Sequence, residues 1–86
     1  MIKSFRCSET STLFAGRRVA RFANIETVAT RKLQQIDSAA TLQSLRAPPG
    51  NRLEALKGDR RGQHSIRIND QYRVDGVVDV EIVDYH

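Results

Sequence analysis

Three residues at the end of the chain, Asp84, Tyr85 and His86, carry side chains that can exchange protons. They follow the run Val80–Val83, whose pattern predicts a strand. A carboxylate, a phenol and an imidazole held side by side can act as general acids or bases, or donate to a phosphate. Chain ends are usually frayed and chemically inert. We therefore take this triplet as the first candidate for a reactive site.

A basic loop in the middle of the chain is the second candidate. Between Arg46 and Arg67 there are six basic residues and two acids. The loop 57–62 reads KGDRRG, and its glycines allow backbone N–H groups and the Lys57 ammonium to approach a phosphate together. The spacing is not that of a P-loop. With the terminal triplet this loop suggests RNA, although a merely solvated charged surface is an equally good explanation of the loop alone.

The composition describes one small basic domain over residues 1–86. With 86 residues, 40% of them hydrophobic, the chain can bury one modest core. A formal net charge of +4 favours polyanionic partners through neutralisation of phosphates. Cys7 has no second cysteine to pair with, which suits a reducing compartment.

Several other classes are disfavoured by the residue types present. Two distant histidines and one cysteine do not make a zinc site, so we expect neither a metal nor another cofactor. The first residues lack the apolar region of a secretory leader. No apolar run approaches the length of a membrane span. We therefore expect a cytoplasmic protein without membrane contacts.

The hydrophobic pattern predicts an α+β fold. The clearest helix covers 25–38, with Asn24 as its N-cap and an apolar stripe of Ile25, Val28, Ala29, Leu33 and Ile36. The Pro-Pro-Gly segment at 48–50 should end helical structure. The other expected elements are a strand over 2–6, a helical turn between 8 and 16, a turn over 41–45, and strands over 52–56, 63–68, 72–74 and 77–83. The N-terminal strand and helices should pack on one face of a small antiparallel sheet.

Three segments resemble the HigB-type toxins of the RelE/ParE superfamily, and most of all its GraT-like branch. They are 51–60 (NRLEALKGDR), 63–74 (QHSIRINDQYRV) and 80–86 (VEIVDYH), and the start MIKSFR also fits. The resemblance covers essentially the whole chain. It implies the RelE-like microbial RNase fold and an activity as a ribosome-dependent endoribonuclease. Such an enzyme cuts the mRNA codon in the decoding site, with the 2′-hydroxyl of the RNA as the nucleophile. It also implies a helix-turn-helix antitoxin of the HigA type, with DNA contacted only through the antitoxin complex.

The resemblance further implies roles for individual residues. The positions that match the family's catalytic ones are Lys57, Arg73, Asp84, Tyr85 and His86. Lys57 and Arg73 would stabilise charge on the phosphate, Tyr85 or His86 would protonate the leaving oxygen, and Asp84 would orient its neighbours or take the 2′-OH proton. Which group is acid and which is base stays open. The residues expected to bind RNA or the ribosome are Arg52, Lys57, Arg60, Arg61 and Arg67.

Two departures from the family stand out. Glu54 lies where some relatives have His, which weakens any catalytic role for that position. The stretch from Arg73 to Gly76 is shorter than its family counterpart by much of one strand. If this is a true deletion, an Asp75-Gly76 turn should pair Val74 with Val77, which takes Arg73 far from Tyr85 and removes a strand from the core. We favour residues omitted from the sequence as the explanation.

Two other functions fit the same fold. One is a ParE-like toxin that inhibits DNA gyrase by binding it, without chemistry of its own. The other is an inactive relative that still binds its antitoxin. The terminal triplet argues against the first alternative, and the short stretch is the only support for the second.

Overall fold

The computed structural model describes residues 1–47 and 49–84, in which two helices pack against a five-stranded sheet. The strands are β1 (Ser4–Phe5), β2 (Glu54–Ala55), β3 (His64–Arg67), β4 (Tyr72–Asp75) and β5 (Asp79–Asp84), and the helices are α1 (Ser8–Phe14) and α2 (Glu26–Ser38). Short 3-10 turns cover Ala20–Phe22, Gln43–Arg46, Pro49–Asn51 and Gly58–Arg60. In these two ranges, no helix has both the length and the apolar character needed to cross a bilayer.

The sheet has the strand order β1-β5-β4-β3-β2. Strands β2 to β5 form an antiparallel series, as the pattern predicted, and the α+β class is confirmed. The sheet is not purely antiparallel, however, because β1 lies parallel to β5. The helices come between β1 and the other strands in sequence, so the chain can cross the sheet before β5 returns beside β1.

The predicted pairing at the β4–β5 connection is wrong. Arg73 pairs with Val83 and Val74 with Ile82, so Val77 is not the partner of Val74. Strand β4 runs on to Asp75, and the chain reverses over 76–78. The Gly76 amide donates to the His64 carbonyl at 2.7 Å, which extends the pairing to the first residue of the turn. The residues present close the β4–β5 hairpin by themselves. The explanation by residues omitted from the sequence stays a prediction.

Helix α2 confirms the 25–38 prediction with two corrections. Its N-cap is Ile25, and no side chain makes a capping hydrogen bond, so Asn24 does not have the predicted role. Ile25, Ala29 and Leu33 are buried, but Val28 is 39% exposed. At about 100° per residue, Val28 falls at the edge of the stripe defined by the buried positions, which is why its side chain is exposed. One 3-10 turn begins within the Pro-Pro-Gly segment and another covers Gly58–Arg60. Among the described residues, therefore, the prediction that helical structure ends at this segment is right for α-helices and wrong for 3-10 turns.

The core lies between the helices and the inner face of the sheet. Its buried apolar side chains come from both layers: Leu13, Val19, Phe22, Ile25, Ala29, Leu33, Ile36, Leu45, Ile66, Ile68, Val74, Val80 and Ile82. One buried polar contact joins the layers, because the Ile82 amide donates to the Thr10 hydroxyl at 3.0 Å. Strand β1 pairs with β5 only at Asp79 and Val80. Beyond the end of β1, Thr10 therefore supplies the hydrogen-bond acceptor that a backbone N–H on the edge of β5 needs.

Thr10→Val tests this contact, since it preserves side-chain shape and removes the acceptor. We expect the free energy of unfolding, measured with urea, to fall by about 1–3 kcal/mol because a buried N–H loses its partner. Thr12→Val on the same helix is the matched control. Its hydroxyl donates to the Ser8 carbonyl in an exposed position, and we expect a change within about 0.5 kcal/mol. Equal losses in both variants would contradict the assigned role.

Gly76→Ala tests the turn that sets the β4–β5 pairing. A Cβ at Gly76 would collide with the Asp79 carbonyl, whereas a Cβ at Gly16 would have nothing within 4 Å, and both residues have φ +87°. The two alanine variants therefore share the same unfavourable positive φ. We expect Gly76→Ala to cost about 1–3 kcal/mol more than Gly16→Ala in urea denaturation, through the collision alone. Equal costs would show that the turn can widen freely.

Candidate functional site

The outer face of the sheet, which points away from the helices, carries the charged groups of the candidate site. Along β3, β4 and β5, Ile66, Val74 and Ile82 pair across the strands and are buried in the core. Because side chains alternate along a strand, their neighbours project from the other face. Those neighbours form two rows: Arg67, Arg73 and Val83 in one, and Ser65, Asp75 and Glu81 in the other.

A cleft of about 140 Å³ opens on this face. It is lined by Arg52, Glu54, Ser65, Arg67 and Arg73. Two of the arginines are direct partners across β3 and β4, and the third comes from the segment before β2. A guanidinium presents a planar set of donors that matches the oxygens of a phosphate. Three such groups around one cleft can bind a phosphodiester, although one carboxylate lines the cleft with them.

Asn51 connects the arginine before β2 to the core. It is fully buried, and its amide donates to the Leu45 carbonyl at 3.1 Å and to Gln35 Oε1 at 3.3 Å. The Lys32 ammonium donates to Asn51 Oδ1. The next residue, Arg52, has φ +45°, in the left-handed region that non-glycine residues seldom adopt. The hydrogen bonds of Asn51 therefore hold the chain where the backbone turns toward the cleft.

The Lys32 ammonium also contributes to the charge behind the cleft. Partial burial lowers its pKa below the ordinary value, and the nearby positive charges of Arg31 and Arg67 lower it further. The effect of Arg67 means that these two positive charges lie close enough to repel each other. Lys32 was not among the residues expected to bind RNA, because its helical position marked it only as part of the solvent-facing side of α2.

The predicted loop residues lie beside the cleft rather than in it. Lys57 and Arg61 are exposed, and with Leu56 and Gly58 they line a separate shallow depression. Arg60 is different, because its guanidinium contacts Glu81 Oε1 at 2.6 Å and Asp75 Oδ2 at 3.3 Å and donates to Gln63. It is the loop residue that binds back onto the sheet, and these contacts favour a structural role for it.

The predicted terminal group is only partly described. Asp84 is exposed and pairs with Tyr72, whose ring packs edge-on against Phe22 on the helical side. Its carboxylate accepts a hydrogen bond from Gln71 Nε2 at 3.0 Å. By strand alternation Asp84 projects from the face opposite to Arg73. Tyr85 and His86 lie outside the described residues.

Comparison with known proteins decides the family. The sequence model of the HigB-like toxins, described as RelE-like toxins of type II toxin–antitoxin systems, matches residues 15–86. The chain belongs to the HigB-like toxin family. It is similar to Toxin HigB-1 of Vibrio cholerae, with 45% identity over 69 residues, which cover 74% of this chain and 73% of that protein. A protein of Haemophilus influenzae described as uncharacterized is 40% identical over 50 residues, covering 58% of this chain and 50% of its own length.

In this HigB-like toxin, the fold brings together only part of the residue set predicted from the sequence. Arg52, Arg67 and Arg73 share the cleft, while Lys57 and Asp84 lie outside it. No set of three His, Cys, Asp or Glu side chains suited to a metal ion occurs in the described parts of the chain. The sequence reasoning missed Asn51 and Asp75 as parts of the site. Asp75 was interpreted as part of a turn and Asn51 only as the start of the segment 51–60, and nothing in their local pattern signals burial.

Asn51→Ala tests the support of the cleft. It removes the partners of Lys32 and of the Leu45 carbonyl, so we expect the free energy of unfolding to fall by about 1–3 kcal/mol. Asn24→Ala is the control, because Asn24 is exposed and outside α2. We expect it to change stability by less than about 0.5 kcal/mol. A larger loss in Asn24→Ala than in Asn51→Ala, measured by urea denaturation, would contradict this assignment.

Proposed function

We propose that this HigB-like toxin is a ribosome-dependent endoribonuclease that cuts mRNA in the decoding site and thereby inhibits translation. The observation that carries the proposal is the cleft on the outer face of the sheet, where Arg52, Arg67 and Arg73 converge. Three guanidinium groups around one cleft supply the donors that a phosphate group needs. Membership of a family of RelE-like toxins supports the same reading.

The proposed reaction is an internal transesterification of the RNA. The 2′-oxygen attacks the adjacent phosphorus, the P–O5′ bond breaks, and the products are a 2′,3′-cyclic phosphate and a 5′-hydroxyl. Negative charge grows on the non-bridging oxygens in the transition state, and Arg73 would stabilise it. The 2′-OH must lose a proton and the leaving oxygen must gain one, and Tyr85 and His86 would carry these transfers. Asp84 projects from the face opposite to Arg73, so its proposed part is to orient these two residues.

The loop between β2 and β3 has a separate task in this proposal. Lys57 and Arg61 are exposed beside the cleft, so they can contact the flanking mRNA backbone or ribosomal RNA. Lys57 reaches the reacting phosphate only if the bound strand lies across both depressions. We therefore assign substrate alignment largely to the ribosome, since correct alignment alone can supply much of a rate enhancement.

The partners follow from this activity. A type II toxin of this family is paired with a cognate antitoxin, and we propose a helix-turn-helix protein of the HigA type in that role. The other partners are the 70S ribosome and its mRNA. DNA would be bound only through the antitoxin complex, and no cofactor is required by the chemistry.

Arg73→Ala and removal of Tyr85-His86 test the proposed reaction. The assay is cleavage of mRNA on programmed 70S ribosomes, with cut sites mapped by primer extension. We expect the unaltered chain to cut within the codon in the decoding site. Arg73→Ala should slow cutting by about 10²–10³-fold, as when one transition-state donor is lost, and the truncated chain should not cut.

Arg18→Ala is the matched control, because Arg18 is an exposed arginine between α1 and α2, away from the outer face of the sheet. It should cut at the rate of the unaltered chain. Full activity in the truncated chain would contradict the proposal, and efficient cutting of naked RNA would contradict the role given to the ribosome. Gyrase inhibition without mRNA cuts would instead favour the ParE-like function.

A further inference from the structure

A buried carboxylate lies directly beneath the proposed reactive arginine. Asp75 is only 2% exposed, although it projects from the outer, charged face of β4. Its Oδ1 approaches Arg73 Nε at 2.7 Å as an ion pair, and its Oδ2 accepts from Arg73 Nη2 at 3.4 Å. The same Oδ2 lies 3.3 Å from Arg60 Nη1. Two arginines from different elements thus converge on one carboxylate.

Removing a carboxylate from water is costly unless surrounding charges compensate for it. Arg60 and Arg73 provide that compensation, and each keeps part of its side chain accessible, 21% and 31% respectively. The Nε edge of Arg73 is engaged by Asp75 while the side chain lines the cleft. A guanidinium held along one edge has fewer accessible rotamers, so it is preorganised toward a ligand on its other side.

The neighbouring turn makes this arrangement rigid. Gly76 follows Asp75 with φ +87°, and its amide is bonded to the His64 carbonyl. Asp75 is paired with Ser65 on one side and with Glu81 on the other. Glu81 in turn contacts Arg60 at 2.6 Å. These contacts restrain the strand segment that carries Asp75, so the carboxylate gives Arg73 a defined partner.

We propose that Asp75 is a positioning residue for RNA cleavage, which holds Arg73 at the cleft and at the same time lowers the cleft's affinity for RNA. The proposal rests on the proposed endonuclease function. Its physical basis is that Asp75 competes with phosphate for the same guanidinium. Asp75 thus orients Arg73 for the transition state, and it weakens the binding of the RNA backbone to the same guanidinium.

Asp75→Asn separates these two effects. Cleavage is measured on programmed ribosomes, and binding is measured by fluorescence anisotropy with a short single-stranded RNA whose 2′-oxygens are methylated, so that it cannot be cut. We expect at least 10-fold slower cleavage, about the loss of one oriented contact. We expect equal or tighter RNA binding, with a salt dependence of log K steeper by about 0.7, one additional phosphate contact on a single strand.

Asp79→Asn is the matched control. It changes the net charge equally, but Asp79 contacts Ser4 and Arg6 at the β1 edge. It should leave cleavage and the salt slope of the RNA complex unchanged. Asp75→Glu is the second variant, because it keeps the charge and shifts the carboxylate. It should reduce cleavage without changing the salt slope, which keeps the test decisive if Asp75→Asn does not fold.

A double-mutant cycle that combines Asp75→Asn with Arg73→Lys distinguishes a positioning role of Asp75 from a general structural one. If Asp75 acts through Arg73, the Asp75→Asn change should alter cleavage by less than about 2-fold once Arg73 is lysine, because interacting residues are not additive. Unchanged cleavage in Asp75→Asn, or an undiminished further loss in the Arg73→Lys background, would overturn the proposal.

An unaltered chain that cuts nothing on ribosomes overturns the proposed function by itself. In that event the salt dependence of RNA binding, measured by anisotropy, still tests whether Asp75 holds Arg73. A steeper salt slope in Asp75→Asn supports its hold on Arg73, and an unchanged slope overturns it.

Discussion

The pairing of β4 with β5 is the constraint on which the rest of the site depends. A one-residue shift between paired strands exchanges their faces, so the position of the turn decides whether Arg73 points to solvent or into the core. Gly76 adopts a backbone conformation that suits glycine, and the space where a side chain would begin is filled by the Asp79 carbonyl. The turn therefore falls after Asp75, and Val74 enters the core while Arg73 faces outward.

Two buried polar residues connect this sheet to the chain around it. Thr10 links α1 to the edge of β5 through a hydrogen bond to the Ile82 amide. Asn51 links α2 and the turn at 43–46 to the segment that carries Arg52. In a domain of this size the apolar core is modest, and such contacts determine where the loops leave it. The position of Arg52 in the cleft thus depends on polar contacts that its neighbour Asn51 makes with the helical side of the fold.

The excess positive charge of the chain is largely balanced where it lies on the sheet. Arg60 contacts Asp75 and Glu81, Arg67 contacts Asp70, and Arg73 contacts Asp75. Such pairing makes the face more ordered and less attractive to RNA than a count of arginines suggests. A toxin that relies on the ribosome for its substrate would gain from that balance, because strong binding to free RNA would compete with the productive complex.

The class of fold and the principal helix could be predicted from the sequence. The stripe of Ile25, Ala29 and Leu33 is a local property of side-chain spacing, and a helix with that pattern has one face to bury. The strand of Val80 and Ile82 follows in the same way from alternation. The segments around Lys57 and Arg73 also carried enough specific residues to indicate the family, which the match over 15–86 confirms.

Only the tertiary structure decided which residues share a site. Strand pairing joins residues that are distant in sequence, so the 2% exposure of Asp75 and the burial of Asn51 depend on neighbours that no local pattern contains. The outward position of Arg73 depends on a turn whose exact location follows from a steric contact at Gly76. The sequence determined the types of side chain available for phosphate chemistry. Their arrangement was determined by long-range pairing, because a local pattern contains no information about which strands become neighbours.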